Sequence, residues 1–466
     1  MNFQEELSKY LFISNAAKTA EEMNLKVYIV GGFVRDLILK RDRDEMDFLV
    51  IGDGPLYASK FAESLGINKI SIFKNFGTAH FRVNDFDLEF VGARKESYDR
   101  SSRKPTVKIG TFEEDISRRD FTINTLAVSI NKSDFGELTD TYNGIKDLKE
   151  RILKTPIDPL ITFNDDPLRI MRAYRFASQL NFNVDDSINE AANKLRERLK
   201  IVSQERITDE FFKILSSPVP SIGIKLLFNS GVMEIIFPEI ANLSGVEQRN
   251  DFHHKDVFLH TCLVIDNISR VTNNVWLRFA ALVHDIAKPQ TKKFIEATGW
   301  TFHGHEEVGA RNMKFIFKKL KLPLNKLYYV EKLVRLHLRP IALAKEEVTD
   351  SAIRRLIVAA GDDLEDLITL CRADITSKNP EKVSKYLDNY ERVMKKVWDV
   401  EEKDKLRAFQ SPVRGEEIMK VCNLKPSKKV GEIKSAIEEA ILDGEIGNNY
   451  EEAYNYLLKI KDQFNI

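Results

Sequence analysis

From residue 27 the chain alternates short apolar runs with polar turns, a pattern that predicts strands. Residues 27–30 (VYIV) form an apolar run that ends at the glycine pair Gly31-Gly32. An amphipathic segment carrying Arg35 and Asp36 follows, and Glu45-Met46-Asp47 then opens a second apolar run. The order reads as strand, glycine turn, short helix, strand. Further strand-like runs fall at ISIF near residue 70, at 77–83 and at 86–93. Ahead of them, residues 1–24 read as one helix leading into Val27. Residues 95–110 (KESYDRSSRKPTVKIG) are polar and rich in Ser, Lys and Arg, and read as a mobile loop.

Past residue 150 strand signals fade and helical periodicity dominates. Over 161–215, Leu168, Met171, Ala173, Phe176 and Leu180 form one apolar stripe. Residues 217–250 read as linking helices and 255–400 as helical. A last helical segment, 401–466, follows, with a break at Ser411-Pro412. The expected fold class is α+β, a small mixed α/β head followed by a helical remainder. The expected division is 1–150, 151–250, 251–400 and 401–466, with no internal repeat.

Composition narrows this only a little. A chain of 466 residues has room for roughly two to four domains. Lys and Arg, 71 in all, balance 71 Asp and Glu, so bulk charge predicts no nucleic-acid partner, and one would need a local basic surface. The N-terminus has acidic residues and no apolar core, unlike a signal peptide. No apolar run approaches the ~20 residues that cross a bilayer, so no membrane partner is expected. Cys262, Cys371 and Cys422 lie far apart with no CxxC pair, which fits free or buried thiols in a reducing cytoplasm.

The candidate chemistry starts at the second strand. Side chains alternate across a strand, so Glu45 and Asp47 point the same way. Two such carboxylates repel unless a cation sits between them, and Mg²⁺ is the usual one. Gly31 and Gly32 let backbone approach a phosphate closely. A glycine turn or an acidic strand face means little alone, but together they predict metal-dependent nucleotidyl transfer. Glu89, which shares a strand face with Asp87, is the candidate third carboxylate of a two-metal site. In Arg118-Arg119-Asp120-Phe121-Thr122-Ile123-Asn124, the arginines suit bidentate contacts to phosphate. Asp120 also reads as the N-cap of a helix. Asp165-Asp166-Pro167-Leu168-Arg169 reads as a helix start with Pro167 in its first turn, which makes Asp166 and Arg169 neighbours on one face. A carboxylate that accepts from an exocyclic amine, beside a guanidinium that donates, matches the edge of cytosine or adenine. Uracil and guanine present a carbonyl where the carboxylate needs a donor. An Asp/Arg pair at this spacing is otherwise an ordinary helix ion pair.

GGFVRD, the acidic pair after it, LEFVGARKESY, EEDISRRDFTINTLA and DDPLRIMRAYRFASQLNF together resemble the bacterial tRNA nucleotidyltransferase and poly(A) polymerase family, of the DNA polymerase beta-like superfamily. SQERITDEFFKIL, at 203–215, is similar to that family's neck. The resemblance runs in order over about residues 27–215. It implies a nucleotidyltransferase head at 1–150 and a base-reading, RNA-binding neck at 151–250. It also implies template-independent addition of CCA to tRNA from CTP and ATP with Mg²⁺, with poly(A) synthesis as the alternative. Glu45 and Asp47 would then be metal ligands, with Glu89 as the third catalytic carboxylate. Gly31, Gly32, Arg35, Arg119, Asp120, Asn124 and Arg175 would serve the nucleotide, and Asp166 with Arg169 would select C or A. Residues 95–110 would be the family's flexible loop, whose presence favours A addition. Glu45 departs from the family's usual Asp, and Asp165 from its usual Glu.

All but one of the 8 histidines lie between His253 and His337, with His80 the exception. Residues 253–380 resemble an HD phosphohydrolase domain, on His284-Asp285 in ALVHDIAKP, His260 in DVFLHT, His303 and His305 in WTFHGHEEVGA, His337 in RLHLRP and Asp374 in CRADITS. The expected divalent-metal ligands are His260, His284, Asp285 and Asp374. His303, His305 and His337 are candidates for a second metal or a phosphate, and Lys288 for a substrate phosphate. A phosphohydrolase whose head only holds RNA is the other alternative. Basic clusters at 196–200 and 314–321 are weaker candidates for RNA contact, since surface lysines usually serve solubility.

Overall fold

The computed structural model describes residues 1–73, 77–97, 106–250, 253–296, 299–343, 349–377, 379–404 and 411–464. The chain divides into two compact units, Met1–Pro238 and Glu239–Ile466.

In the first unit the predicted alternation becomes a sheet. In chain order the strands are β1 (Lys26–Val30), β2 (Glu45–Ile51), β3 (Ser71–Phe73), β4 (Thr78–Val83), β5 (Phe86–Gly92), β6 (Arg94–Ser97), β7 (Thr106–Ile109), β8 (Ala127–Ser129) and β9 (Leu138–Thr139). Seven of them form one sheet in the order β3-β4-β5-β2-β1-β8-β9, while β6 and β7 pair as a separate antiparallel ribbon. Within this sheet only β2 and β5 run parallel. The sheet's two faces differ in polarity. Phe48 stacks on Phe90 at 4.8 Å and Phe90 on Phe81 at 5.0 Å, and Tyr57 and Phe61 of the helix Gly54–Ser64 pack on Phe90. The opposite face is closed around Leu49 by Val30, Ala93, Ile116 and Ala127, and Glu45 and Asp47 occupy the start of β2. A one-residue slip would turn those carboxylates into the aromatic core, so burial sets the register.

Two expectations are corrected here. Residues 1–24 are two helices, Gln4–Leu7 and Leu11–Glu22, separated where Tyr10 turns extended. The Tyr10 ring meets Phe33 at 5.7 Å and Phe86 at 5.1 Å, and this aromatic cluster outweighs local helix preference. Residues 95–110 are not all loop, because their ends pair as β6 and β7; residues 98–105 lie outside the described residues.

The helix Leu168–Leu180 buries the front of the predicted stripe and also Tyr174, Arg175, Ala177 and Ser178, because the helices Gln204–Leu215 and Pro220–Asn229 pack against it. In the second unit the helices Val257–Ser269, Val275–Val283, Leu327–Leu336 and Leu364–Ala373 pack together. The last helices, Gly415–Val421, Lys428–Leu442 and Tyr450–Ile460, close their own core around Ile418, Ile433, Ile437 and Leu457. The helical remainder also holds two-stranded ribbons: Ile152–Leu153 with Asn183–Val184, Glu247–Asn250 with His253–Asp256, and Lys293–Ile295 with Gly299–Thr301. These strands are too short for periodicity to reveal. Cys262, Cys371 and Cys422 are buried and form no disulfide. Among the described residues no helix is long and apolar enough to cross a membrane.

Candidate active sites

Strand register aligns the head carboxylates on one face of the sheet. β2 and β5 place Glu45 opposite Asp87 and Asp47 opposite Glu89, all on the polar face. Asp47 and Glu89 line a cleft of about 900 Å³ with Arg94, Arg118, Arg119, Asp120, Asp166, Arg169, Arg172 and Arg206. Burial raises the pKa of Asp47, partly opposed by Arg119 and Arg43 and reinforced by Glu45. Glu89 is raised by burial and then by the charge of Asp47. Among the described residues neither carboxylate makes a hydrogen bond or an ion pair. Crowded, partner-poor oxygen donors fit a hard divalent cation, so the residues present suit Mg²⁺. Gly31, with φ +74°, lies where a Cβ would sit 3.2 Å from Asp47 Oδ2 and 3.3 Å from Arg119 Nη1. A side chain there would be strained and would also crowd both groups.

Other residues expected at the nucleotide are buried and paired with one another. Arg35 donates to Asp36 at 2.9 and 2.7 Å and to Asn124 Oδ1 at 2.8 Å. Asn124 donates to Asp120 Oδ1 at 2.9 Å, and Arg172 donates to Asp120 Oδ2 at 2.9 and 2.6 Å. Arg175 donates to Glu210 at 3.1 Å. Of these, only Asp120 and Arg172 reach the cleft, with Glu210 beside them. Arg35, Asn124 and Arg175 brace the site in this structure and do not line it. Asp120 is not a helix N-cap, since Phe121 holds that position for the short 3₁₀ helix Thr122–Asn124. Burial works against the Asp120 charge, but Arg172 and Asn124 outweigh it and hold the carboxyl well below its ordinary range.

Asp166 and Arg169 both face the cleft but are not paired. The helix begins at Leu168, so Asp166 precedes it in an extended conformation and accepts the Leu168 N–H at 3.1 Å. The proline excludes Asp166 from the helix. Its partner is Arg206, at 3.4 Å. Arg169 donates to the carbonyls of Arg118 at 2.6 Å and Thr162 at 3.3 Å.

In the second unit, His260, His284 and Asp285 offer ligand atoms within 4.8 Å of one another, and so do Asp285, His305 and His337. Asp285 belongs to both sets. Asp374 lies 2.9 Å from His260 and 3.5 Å from His284. Every clustered ring turns Nδ1 outward: His284 to Ala281 O at 2.7 Å, His305 to Phe302 O at 2.8 Å, His337 to Val334 O at 2.6 Å and His260 to Thr376 Oγ1 at 2.9 Å. An Nδ1–H donated to such an acceptor leaves Nε2 as an inward lone pair, the arrangement that metal-ligating histidines need. His284 Nε2 is buried 3.2 Å from Asp285 Oδ2 and 3.5 Å from Asp374 Oδ1 without hydrogen-bond geometry to either, a position that a divalent metal shared by the three would satisfy. Burial opposes charge on His284, yet Asp285 and Asp374 hold its pKa up at about 10, while burial and the His284 charge push His337 down to about 3. His303 is exposed and lies outside both sets. Lys288, expected at a substrate phosphate, donates to Asp285 Oδ2 at 2.6 Å.

The description "Poly A polymerase head domain" matches residues 27–154, "Probable RNA and SrmB- binding site of polymerase A" residues 181–243, and "HD domain" residues 257–377. The A-adding tRNA nucleotidyltransferase of Deinococcus radiodurans is 32% identical over 353 residues, 73% of this chain and 77% of that protein. The chain belongs to the tRNA nucleotidyltransferase and poly(A) polymerase family. Another family relative, the Multifunctional CCA protein of Shewanella frigidimarina, is 32% identical over 64% of this chain and 70% of its own length. The A-adding tRNA nucleotidyltransferase of Aquifex aeolicus is 39% identical over 41% of this chain, a match that spans 24% of that protein. The fold is shared with a CCA-adding enzyme in apo form, at TM-score 0.66 and 22% identity, over 98% of this chain and 97% of that one. It is also shared with a Thermotoga maritima CCA-adding enzyme complexed with tRNA-CCA, at TM-score 0.60 and 22% identity, over 97% and 95%.

Two arginines with no expected role pair with carboxylates of the site, Arg172 on the helix Leu168–Leu180 and Arg43 just before β2. Arg172 follows Arg169 and precedes Arg175 at three-residue steps, a helical repeat that could have been read as one arginine face. Arg43, two residues before Glu45, donates to Glu45 Oε2 at 2.7 Å and to Asp36 Oδ2 at 2.9 Å. The basic clusters are partly spent on internal contacts: Arg198 donates to Asn164 O at 2.9 Å, and Lys319 pairs with Glu239 at 2.7 Å.

Proposed function

We propose that the head adds C and A from CTP and ATP to tRNA 3′ ends, building CCA without a nucleic-acid template. The observation that carries this reading is one cleft lined by the carboxylates Asp47 and Glu89, by Arg119, and by the base-edge candidates Asp166 and Arg169. The reaction joins the RNA 3′-oxygen to the α-phosphorus of the triphosphate and releases pyrophosphate. Mg²⁺ held by Glu45, Asp47 and Glu89 would supply the charge that makes the 3′-hydroxyl acidic and offsets the leaving pyrophosphate. Arg119, whose buried Nε has no partner, would hold the triphosphate beside the Gly31 backbone. Asp120 and Arg172 orient that wall of the cleft. To read a base, Asp166 exchanges Arg206 for an exocyclic amine, and Arg169 exchanges its backbone carbonyls for ring acceptors.

The second unit is proposed as a divalent-metal phosphohydrolase centre, supported by the inward Nε2 atoms around Asp285. Buried thiols that form no disulfide support a place in the reducing cytoplasm. A second reading, addition of A alone to RNA already ending in CC, is favoured by the A-adding names of the Deinococcus and Aquifex relatives.

The deciding assay offers labelled CTP and ATP, separately and together, to tRNA ending before CCA, with Mg²⁺. Addition of C, C and A that then stops supports the proposal. A alone, only on tRNA ending in CC, selects the second reading. Unlimited A on any RNA makes the protein a poly(A) polymerase. No incorporation overturns the proposal and leaves the second unit as the active one.

A further inference from the structure

We propose that Arg43 is a positioning residue for the head's metal site, one that occupies Glu45 until a divalent cation displaces it. The inference rests on the reading of Glu45 and Asp47 as metal ligands. Arg43 is clamped on one side and loose on the other. Its Nη1 donates to Asp36 Oδ2 at 2.9 Å, and Asp36 is itself held by two donors of the buried Arg35. A Cβ at Gly32 would lie 2.6 Å from Arg43 Cζ, so the guanidinium rests against bare backbone. Its Nε is buried without a partner. The free fork, Nη2, donates to Glu45 Oε2 at 2.7 Å.

Glu45 is the movable member, with its side chain 62% exposed against 28% for Arg43. Asp47 lies on the same strand face and is one methylene shorter. Arg43 acts on it through charge alone, without an ion pair. The longer side chain is therefore the one that reaches the guanidinium. A half-exposed ion pair is weak enough to exchange, and a cation that ligates Glu45 has to take the oxygen that Arg43 now holds. Arg43 thus presets the position of Glu45 and competes with the metal for it.

The test measures Mn²⁺ binding to the full-length protein by electron paramagnetic resonance, with a non-hydrolysable ATP analogue present. Asp47→Ala identifies which sites belong to the head, because the histidine centre remains in that variant. The half-saturating Mg²⁺ for ATP incorporation is read alongside. Arg43→Gln is expected to fold, since Asp36 keeps both Arg35 donors, and to tighten the head sites at least threefold with a matching fall in half-saturating Mg²⁺. In a Glu45→Asp background, where the carboxylate is withdrawn, the same substitution is expected to change binding by less than about 1.5-fold. Unchanged or weaker Mn²⁺ binding in Arg43→Gln overturns the proposal, as does equal tightening in the Glu45→Asp background. If Arg43→Gln does not fold, Arg43→Lys, which cannot fork between Asp36 and Glu45, is read in its place with the same expected direction. If Asp47→Ala keeps every Mn²⁺ site and its incorporation, the metal-ligand reading itself fails, whatever Arg43 does.

Discussion

In the proposed reaction Asp47 is the most exacting of the head's residues. Its raised pKa means that a proton competes with the metal, so half-saturating Mg²⁺ for nucleotide incorporation should rise as pH falls toward that raised value. Replacing it with alanine removes several kcal/mol of charge stabilisation, which corresponds to roughly a thousandfold loss in kcat. Steady-state incorporation measures both. Asp120 behaves in the opposite way. Its carboxyl is held below its ordinary value by Arg172 and Asn124 against the cost of burial, so it contributes stability above about pH 4 and loses it as pH falls toward the folded value. Asp120→Asn should therefore cost about 1–3 kcal/mol at pH 7, with the difference from wild type shrinking below pH 4 in urea unfolding. The alternation Glu45, Met46, Asp47 was readable in the chain. The identity of the cations opposite was not, because Arg43 and Arg172 are placed by packing.

At the scale of elements, the turn after β1 and the helix Leu168–Leu180 carry the site. Gly31→Ala should destabilise the protein by about 1–3 kcal/mol through backbone strain. It should lower incorporation by more than that strain explains, because its Cβ would press on Asp47 and Arg119. Thermal unfolding and incorporation, measured on one preparation, separate the two effects. Asp166→Ala should relax the choice of base. A good base-edge contact is worth about 1–3 kcal/mol, so the preference for ATP and CTP over UTP and GTP should fall roughly tenfold to a hundredfold in competition assays. The helix itself was legible from its stripe, but its start was not. The sequence places Pro167 inside the first turn with Asp166, whereas Pro167 is the N-cap and Asp166 lies outside the helix, accepting the Leu168 N–H.

At the scale of the whole molecule, two candidate sites lie in two compact units. Metal bound to the folded histidine centre stabilises it by mass action, about 2.7 kcal/mol at a hundredfold excess over Kd. Chelation should therefore lower the unfolding temperature and added Mn²⁺ restore it, and His260→Ala should blunt that response in a thermal scan. The clustering of histidines after residue 253 announced a second centre. It did not announce that Asp285 would stand between two ligand sets, nor that His303 would be left outside, because helix packing decides both.

Local order determined what the sequence by itself could show. Period-two alternation set the strands of the head, glycine and proline marked the turns, and residue type at fixed spacing named Glu45, Asp47, Glu89, Asp166 and the His-Asp pair. Only the tertiary structure decided that β5 lies parallel to β2 with Glu89 beside Asp47, that Arg35, Asn124 and Arg175 brace the site, and that Tyr10 breaks the first helix. The physical reason is range. Periodicity reports which face a side chain takes, while register, ion pairing and helix packing join residues far apart in the chain, and no local pattern carries that information.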